Sequence, residues 1–173
     1  MWDNESGGSM LCFCYGSNMS QRRLQARVPS ARFKTVAELP NHRLRFHKAA
    51  MDGSAKCDAE ETGNPEDRVV GVVYEIADSQ KPDLDKHEAL GFGYDEKQVE
   101  LAAPEGNLQA WMYFATRIDD SLKPFHWYKD HVLTGARENG LPADYIARIE
   151  AVESIDDPSP ERHGRELAIY RST

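Results

Sequence analysis

MLCFCYGSN, residues 10–18, is an apolar run that breaks off at Gly16. It reads as a buried strand passing directly into a polar turn. Ser20 follows where a helix N-cap belongs and Pro29 supplies a stop, so a short helix is predicted through Arg27. A second stretch, VVGVVYEI at residues 69–76, is the strongest strand in the chain by β-branched content. Between the two, Phe33–Leu39 and Arg43–His47 are expected strands. In the second of these Leu44 and Phe46 alternate with Arg43 and Arg45, which leaves one face wet. Residues 52–67 carry six acids against the single base Lys56 and read as a solvated loop containing one short strand at most.

After residue 76 a helix is predicted, capped by Asp78 or Ser79, with Pro82 in its first turn and Gly91 at its end. Lys97–Leu101 and Leu108–Thr116 make two more strands, joined around Pro104-Glu105-Gly106-Asn107 as a hairpin. The period then changes. Phe125, Tyr128, Val132, Leu133 and Ala136 share one helical face, which stops at Asn139-Gly140. A second helix is expected from Pro142 to Glu153, burying Tyr145, Ile146, Ile149 and Val152. Asp156–Gly164 reads as a polar loop and Leu167–Tyr170 as a final strand. Strands over 10–116 followed by helices over 120–154 favour an α+β fold over a doubly wound parallel sheet. Residues 1–9, with the linker-like Gly7-Gly8-Ser9, read as an extension in which Met10 is a second or natural start. Residues 10–173 are then a single domain, long enough to bury a core without staples.

Composition narrows the function. Twenty-nine acids against twenty-one bases give a net charge of −8, which argues against nucleic-acid binding and against an anionic membrane surface. No apolar stretch approaches the length of a membrane span and no signal peptide is visible, so a cytosolic (cytoplasmic) protein is expected. The three cysteines, Cys12, Cys14 and Cys57, are an odd number without C-x-x-C spacing. They read as buried packing residues rather than a disulfide or metal set.

Chemistry is expected at few places. At Tyr15-Gly16-Ser17-Asn18, glycine permits positive φ and close ligand approach, and successive amides before a helix can cradle an anion. An ordinary turn capped by Asn18 or Ser20 is the alternative. Glu88 lies four residues after Leu84, hence on the inward face of its helix. A carboxylate there is desolvated, which raises its pKa toward that of a general base; pairing with Lys86, His87 or an arginine is the plainer reading. Tyr94, after Gly91-Phe92-Gly93, is placed to hydrogen-bond near Glu88, and Tyr128 sits at an apolar helical position where a core tyrosine is equally consistent. The histidines show no H-x-x-x-H or H-E-x-x-H spacing, so no metal site is expected. Neither a P-loop nor a G-x-G-x-x-G motif occurs, and Ser17 lies in no G-x-S-x-G elbow.

Taken together, YGSN at Tyr15–Asn18, GVVYEI at Gly71–Ile76, LDKHEALGFGY at Leu84–Tyr94 and YKDHVLTGARENGLPADY at Tyr128–Tyr145 resemble the γ-glutamylcyclotransferase family, in motif order from residue 10 to residue 154. The resemblance implies a small mixed β-barrel with flanking helices and conversion of an L-γ-glutamyl-amino acid to 5-oxoproline and a free amino acid, without cofactor or metal. It implies Glu88 as the catalytic acid/base. It also implies a substrate site built from Cys12, Phe13, Cys14, Tyr15, Gly16, Ser17 and Asn18, with Tyr94 and Tyr128. The segment Lys56–Glu61 departs from the apolar strand of the family, and its acids favour a basic leaving amine. Competing expectations are an amide hydrolase with Ser17 or Cys14 as nucleophile and an inactive γ-glutamyl-binding module. A structural protein comes last; the apolar face near Phe125 and Trp127 offers a homodimer contact.

Overall fold

The computed structural model describes residues 7–171. Most of the expected extension over residues 1–9 lies outside them; Ser9 already belongs to the first strand. That strand, β1 (Ser9–Cys14), and β2 (Arg32–Pro40) flank β5 (Arg68–Ala77), both antiparallel to it. The 69–76 run is therefore central, and Val69, Val70, Val72, Val73, Tyr74 and Ile76 are all buried. A strand covered on both faces needs no alternation of apolar and polar residues, which explains its unbroken β-branched character. Gly71 serves the packing: a Cβ there would lie 2.5 Å from the Cys14 carbonyl oxygen and 2.8 Å from the Phe13 ring.

The hairpin of β6 (Tyr94–Ala103) and β7 (Gly106–Ala115) turns at Pro104-Glu105, with Ala103 opposite Gly106. β7 meets β1 in parallel at Cys12 and Trp111, closing the barrel β1-β5-β2-β6-β7. β3 (His42–Ala49) and β4 (Ala55–Glu61) form a separate two-stranded sheet. β4 corrects the expected solvated loop. Ala55, Cys57 and Ala59 are buried, and Asp58 is buried with them. The Asp58 carboxylate accepts from the Ala115 amide at 2.8 Å and lies 2.7 Å from His47 Nε2. A buried carboxylate satisfied in this way is tolerated, but its partners come from other strands and leave no local trace.

Five helices complete the described residues: α1 (Gln21–Arg27), α2 (Lys81–His87), α3 (His126–Glu138), α4 (Ala143–Glu150) and α5 (Pro160–Leu167). The Ser20 hydroxyl caps α1 by accepting from the Arg23 amide. α2 follows a 3₁₀ turn at Asp78–Gln80, so neither Asp78 nor Ser79 caps it. It ends before Gly91, because Ala89 already takes the left-handed conformation at φ 50°. α3 packs directly on the turn after β1: a Cβ on Gly135 would meet the Met19 Cβ and the Ser20 amide nitrogen at 2.5 Å. α4 stops at Glu150, three residues short of expectation, with Ile146 and Val152 only half-buried.

The C-terminal expectation is overturned. Asp156–Gly164 is not a loop throughout, since Ser159 caps α5 by accepting from the Arg162 amide. Residues 168–170 form a 3₁₀ turn rather than a strand. Polar contacts hold this segment down: Asp157 accepts from Trp127 Nε1 at 2.8 Å and pairs with Arg162, while Tyr170 lies 2.6 Å from His131 Nδ1. Phe125 and Trp127 are buried beneath it, with Arg162 over the Phe125 ring. The face expected to offer a dimer contact is thus covered by the chain itself. No helix among the described residues is long and apolar enough to cross a membrane.

Candidate active site

The turn after β1 is built by compression rather than by left-handed backbone. Gly16 has φ −114°, so the expected positive φ is absent. Space is the constraint: a Cβ would lie 3.0 Å from the Cys57 Cβ and 3.3 Å from the Tyr128 hydroxyl. Residues 17–19 then make one 3₁₀ turn, closed by the Met19 amide on the Gly16 carbonyl. At the start of such a turn the first amides have no intrahelical acceptor and are available to an anion.

Cys12, Phe13, Cys14, Tyr15, Gly16, Ser17, Asn18, Glu88, Tyr94 and Tyr128 all line one recess of about 40 Å³, together with Cys57 and Tyr113. The structure brings every residue singled out from the sequence to this wall. Cys57 and Tyr113 were missed. Tyr113 had a local signal, since Trp111 and Tyr113 alternate on one face of a strand; Cys57 was concealed in the acidic run. A larger vestibule of about 320 Å³ adjoins the recess and shares Ser17, Glu88, Tyr94 and Tyr128 with it.

Glu88 stands between the two spaces. It is the C-cap of α2 rather than an interior residue, and its amide donates to the Leu84 carbonyl at 2.9 Å. Fully buried Leu84 anchors that turn. The Glu88 carboxylate accepts from Asn18 Nδ2 at 2.7 Å and from Arg27 Nη1 at 3.1 Å. The turn after β1 and helix α1 therefore orient it.

The tyrosine hydroxyls divide by role. Tyr15 donates to the Tyr113 carbonyl at 2.5 Å, Tyr94 to the Cys57 carbonyl at 2.6 Å, and Tyr113 to Asp85 Oδ1 at 2.5 Å. Tyr94 thus braces β4 instead of reaching Glu88. Tyr128 alone among these four accepts, from the Cys57 amide at 2.9 Å, and its own proton has only the weakly accepting Cys57 sulfur, itself in the recess wall, as a side-chain partner. Burial pushes the Tyr15, Tyr94, Tyr113 and Tyr128 phenols above their ordinary range, so they remain protonated donors. It also pushes the Cys12 thiol up, and that of Cys57 to about 12. Neither thiol is a ready nucleophile. All three cysteines are free and buried, and no histidine lines the recess.

The vestibule is basic, not acidic. Arg23, Arg27, Lys48 and Lys56 line it with Asp52, Glu88 and His87. Burial lowers the Lys56 ammonium to about 8, opposed by Asp52 and reinforced by Arg23. Asp58 is turned away to His47, and Glu60 pairs with Arg45. The expected preference for a basic leaving amine is therefore corrected: the acids of β4 do not line the vestibule. No group of three or more His, Cys, Asp or Glu residues among those described could hold a metal.

A sequence model of the AIG2-like family matches residues 68–149. The bovine γ-glutamylcyclotransferase is 32% identical over 163 residues, spanning 88% of this chain and 84% of the relative. The human γ-glutamylcyclotransferase is 35% identical over 153 residues, spanning 86% and 81%. A solved γ-glutamyl cyclotransferase superposes with a TM-score of 0.81 at 29% identity, over 93% of this chain and 99% of the other. YkqA from Bacillus subtilis, at 18% identity and a TM-score of 0.71, shares the fold.

Proposed function

Because the chain belongs to the γ-glutamylcyclotransferase family, we propose that its recess folds a γ-glutamyl group back on itself and cyclises it, with Glu88 carrying the proton. The substrate brings its own nucleophile, the α-amine, so no serine or cysteine is required. Holding amine and γ-carbonyl together makes attack effectively unimolecular. Glu88 removes a proton from the α-ammonium; the amine nitrogen bonds to the γ-carbon, closing the five-membered ring. Collapse of the tetrahedral intermediate breaks the original γ-amide C–N bond as Glu88 returns its proton to the leaving nitrogen; the ring nitrogen gives up a second proton, which departs with the leaving amine as its ammonium. The products are 5-oxoproline and a free amino acid.

In this reading the amides of residues 16–18 receive the substrate α-carboxylate, and the Tyr128 hydroxyl turns its proton from the Cys57 sulfur to the oxyanion. The observation that carries it is the position of the Glu88 carboxylate, a wall of both recess and vestibule, held by Asn18 and Arg27. Three free, buried thiols support a cytosolic setting, where thiols are kept reduced. The test is incubation with γ-glutamyl-alanine and mass spectrometry of the product. Wild type should yield 5-oxoproline, while Glu88→Gln should fold, bind and lose about 10²–10⁴ in rate. Glutamate as the product, or undiminished turnover by the variant, would refute it.

A further inference from the structure

The β3–β4 hairpin places Lys48 directly opposite Lys56 across the ladder, just after an irregularity in β3. Like charges in facing positions destabilise a sheet, and here both side chains line the vestibule. One carboxylate serves the pair: Asp52 Oδ2 lies 3.6 Å from Lys56 Nζ, while Asp52 Oδ1 accepts from the amide and hydroxyl of Ser54. Lys48 has no carboxylate within ion-pair distance among the described residues, and only 6% of its surface is exposed.

Aromatic faces hold the two ammoniums in place. Lys48 Nζ lies 4.6 Å from the centre of the Tyr94 ring, and Lys56 Nζ lies 4.2 Å and 4.4 Å from those of Trp127 and Tyr128. Buried charges are ordinarily paired. A facing pair of desolvated lysines beside a proton-transferring carboxylate is therefore a place where a ligand supplies the anion.

The number of anions follows from the remaining charges. Arg23 is matched by Glu166 at 2.6 Å and Arg27 by Glu88 at 3.1 Å. When Glu88 takes up the substrate's ammonium proton, Arg27 loses its counter-charge as well. A leaving group with one carboxylate covers one of these two deficits; a leaving group with two covers both.

Resting on the cyclotransferase reading, we propose that the preferred substrates are γ-glutamyl derivatives of acidic amino acids, with one leaving-group carboxylate between Lys48 and Lys56 and the other toward Arg27. The test compares kcat/KM for γ-glutamyl-glutamate and γ-glutamyl-alanine in wild type, Lys48→Met and Lys56→Met, which keep most of each apolar stem. Wild type should prefer the acidic substrate by about tenfold or more, the size of effect given by one desolvated charge pair. Both variants should bring that ratio near one, through KM rather than kcat. Raised salt should depress the acidic substrate selectively.

A wild-type ratio near one, or a ratio unchanged in both variants, overturns the proposal while 5-oxoproline formation from γ-glutamyl-alanine leaves the cyclotransferase reading standing. Absence of 5-oxoproline from both substrates overturns both. Circular dichroism of each variant separates a lost fold from a lost contact; should either methionine variant unfold, Lys48→Gln and Lys56→Gln make the same comparison.

Discussion

Gly135 touches no part of the recess, yet replacing it should disable the site. In the interior of an exposed helix, Gly→Ala stabilises by about 1 kcal/mol. Here the new Cβ would meet the Met19 Cβ, the Ser20 amide nitrogen and the Met19 carbonyl carbon at 2.5–2.6 Å. These are Cβ and backbone atoms, so no rotamer change relieves the clash. Restoring ordinary contact requires α3 and the 17–19 turn to part by about 1 Å, and overpacking of this kind costs about 1–3 kcal/mol. After the propensity gain, a net loss of up to about 2 kcal/mol lowers Tm by up to about 8 °C for a chain of this size. The larger effect falls on chemistry. α3 carries Tyr128, whose hydroxyl is bonded to the Cys57 amide, while the turn carries Asn18, which holds Glu88. Parting the two misplaces the groups by about 1 Å, enough for about 10²-fold in kcat/KM. The assay is differential scanning calorimetry with 5-oxoproline release, and Gly164→Ala is the control. That glycine is helical in α5 with nothing within 4 Å of its Cβ position, so its replacement should raise Tm slightly and leave turnover unchanged. Gly135→Ala with unaltered Tm and turnover would refute the claim that close backbone packing sets the geometry of the site.

Two further outcomes follow from the same contacts. Tyr128→Phe should reduce kcat/KM by about 10²-fold through loss of the hydroxyl proton, and destabilise by about 1–3 kcal/mol because the buried Cys57 amide loses its acceptor; thermal shifts with steady-state kinetics on γ-glutamyl-alanine check both, and unchanged kinetics would make Tyr128 purely structural. Although burial pushes the Glu166 carboxyl up, hydrogen bonding from His131 and the Arg23 guanidinium hold it down at about 2, against an ordinary 4.5. Its depressed value means that its contribution is present above pH 4.5 and is lost as pH falls from there toward 2. Tm against pH should therefore fall less steeply across that window in Glu166→Gln than in wild type, and parallel curves would contradict the assignment.

What the sequence settles by itself is what nearest neighbours decide. The break at Gly16, the Ser20 cap, the β-branched run of β5, the turn at Pro104-Glu105 and the apolar face of α3 are local preferences, and each is legible because its cause lies within a few residues. Glu88 is legible for the same reason: Leu84, four residues earlier, declares which side of the helix faces inward. The errors share the opposite cause. Asp58 reads as loop because its chain neighbours are acidic, and only His47 and Ala115, from two other strands, make its burial tolerable. α5 reads as loop because what holds it lies elsewhere in the chain: Arg23 and His131, the partners of its Glu166 carboxylate, lie on α1 and α3. Cys57 and Tyr113 join the recess through strand register, and the basic vestibule draws its cations from α1, β3 and β4. Whether a charge is solvated, paired or poised for a ligand depends on partners distant in the chain. Only the folded barrel brings those partners within a few ångströms, and there the desolvation that gives each charge its role first exists.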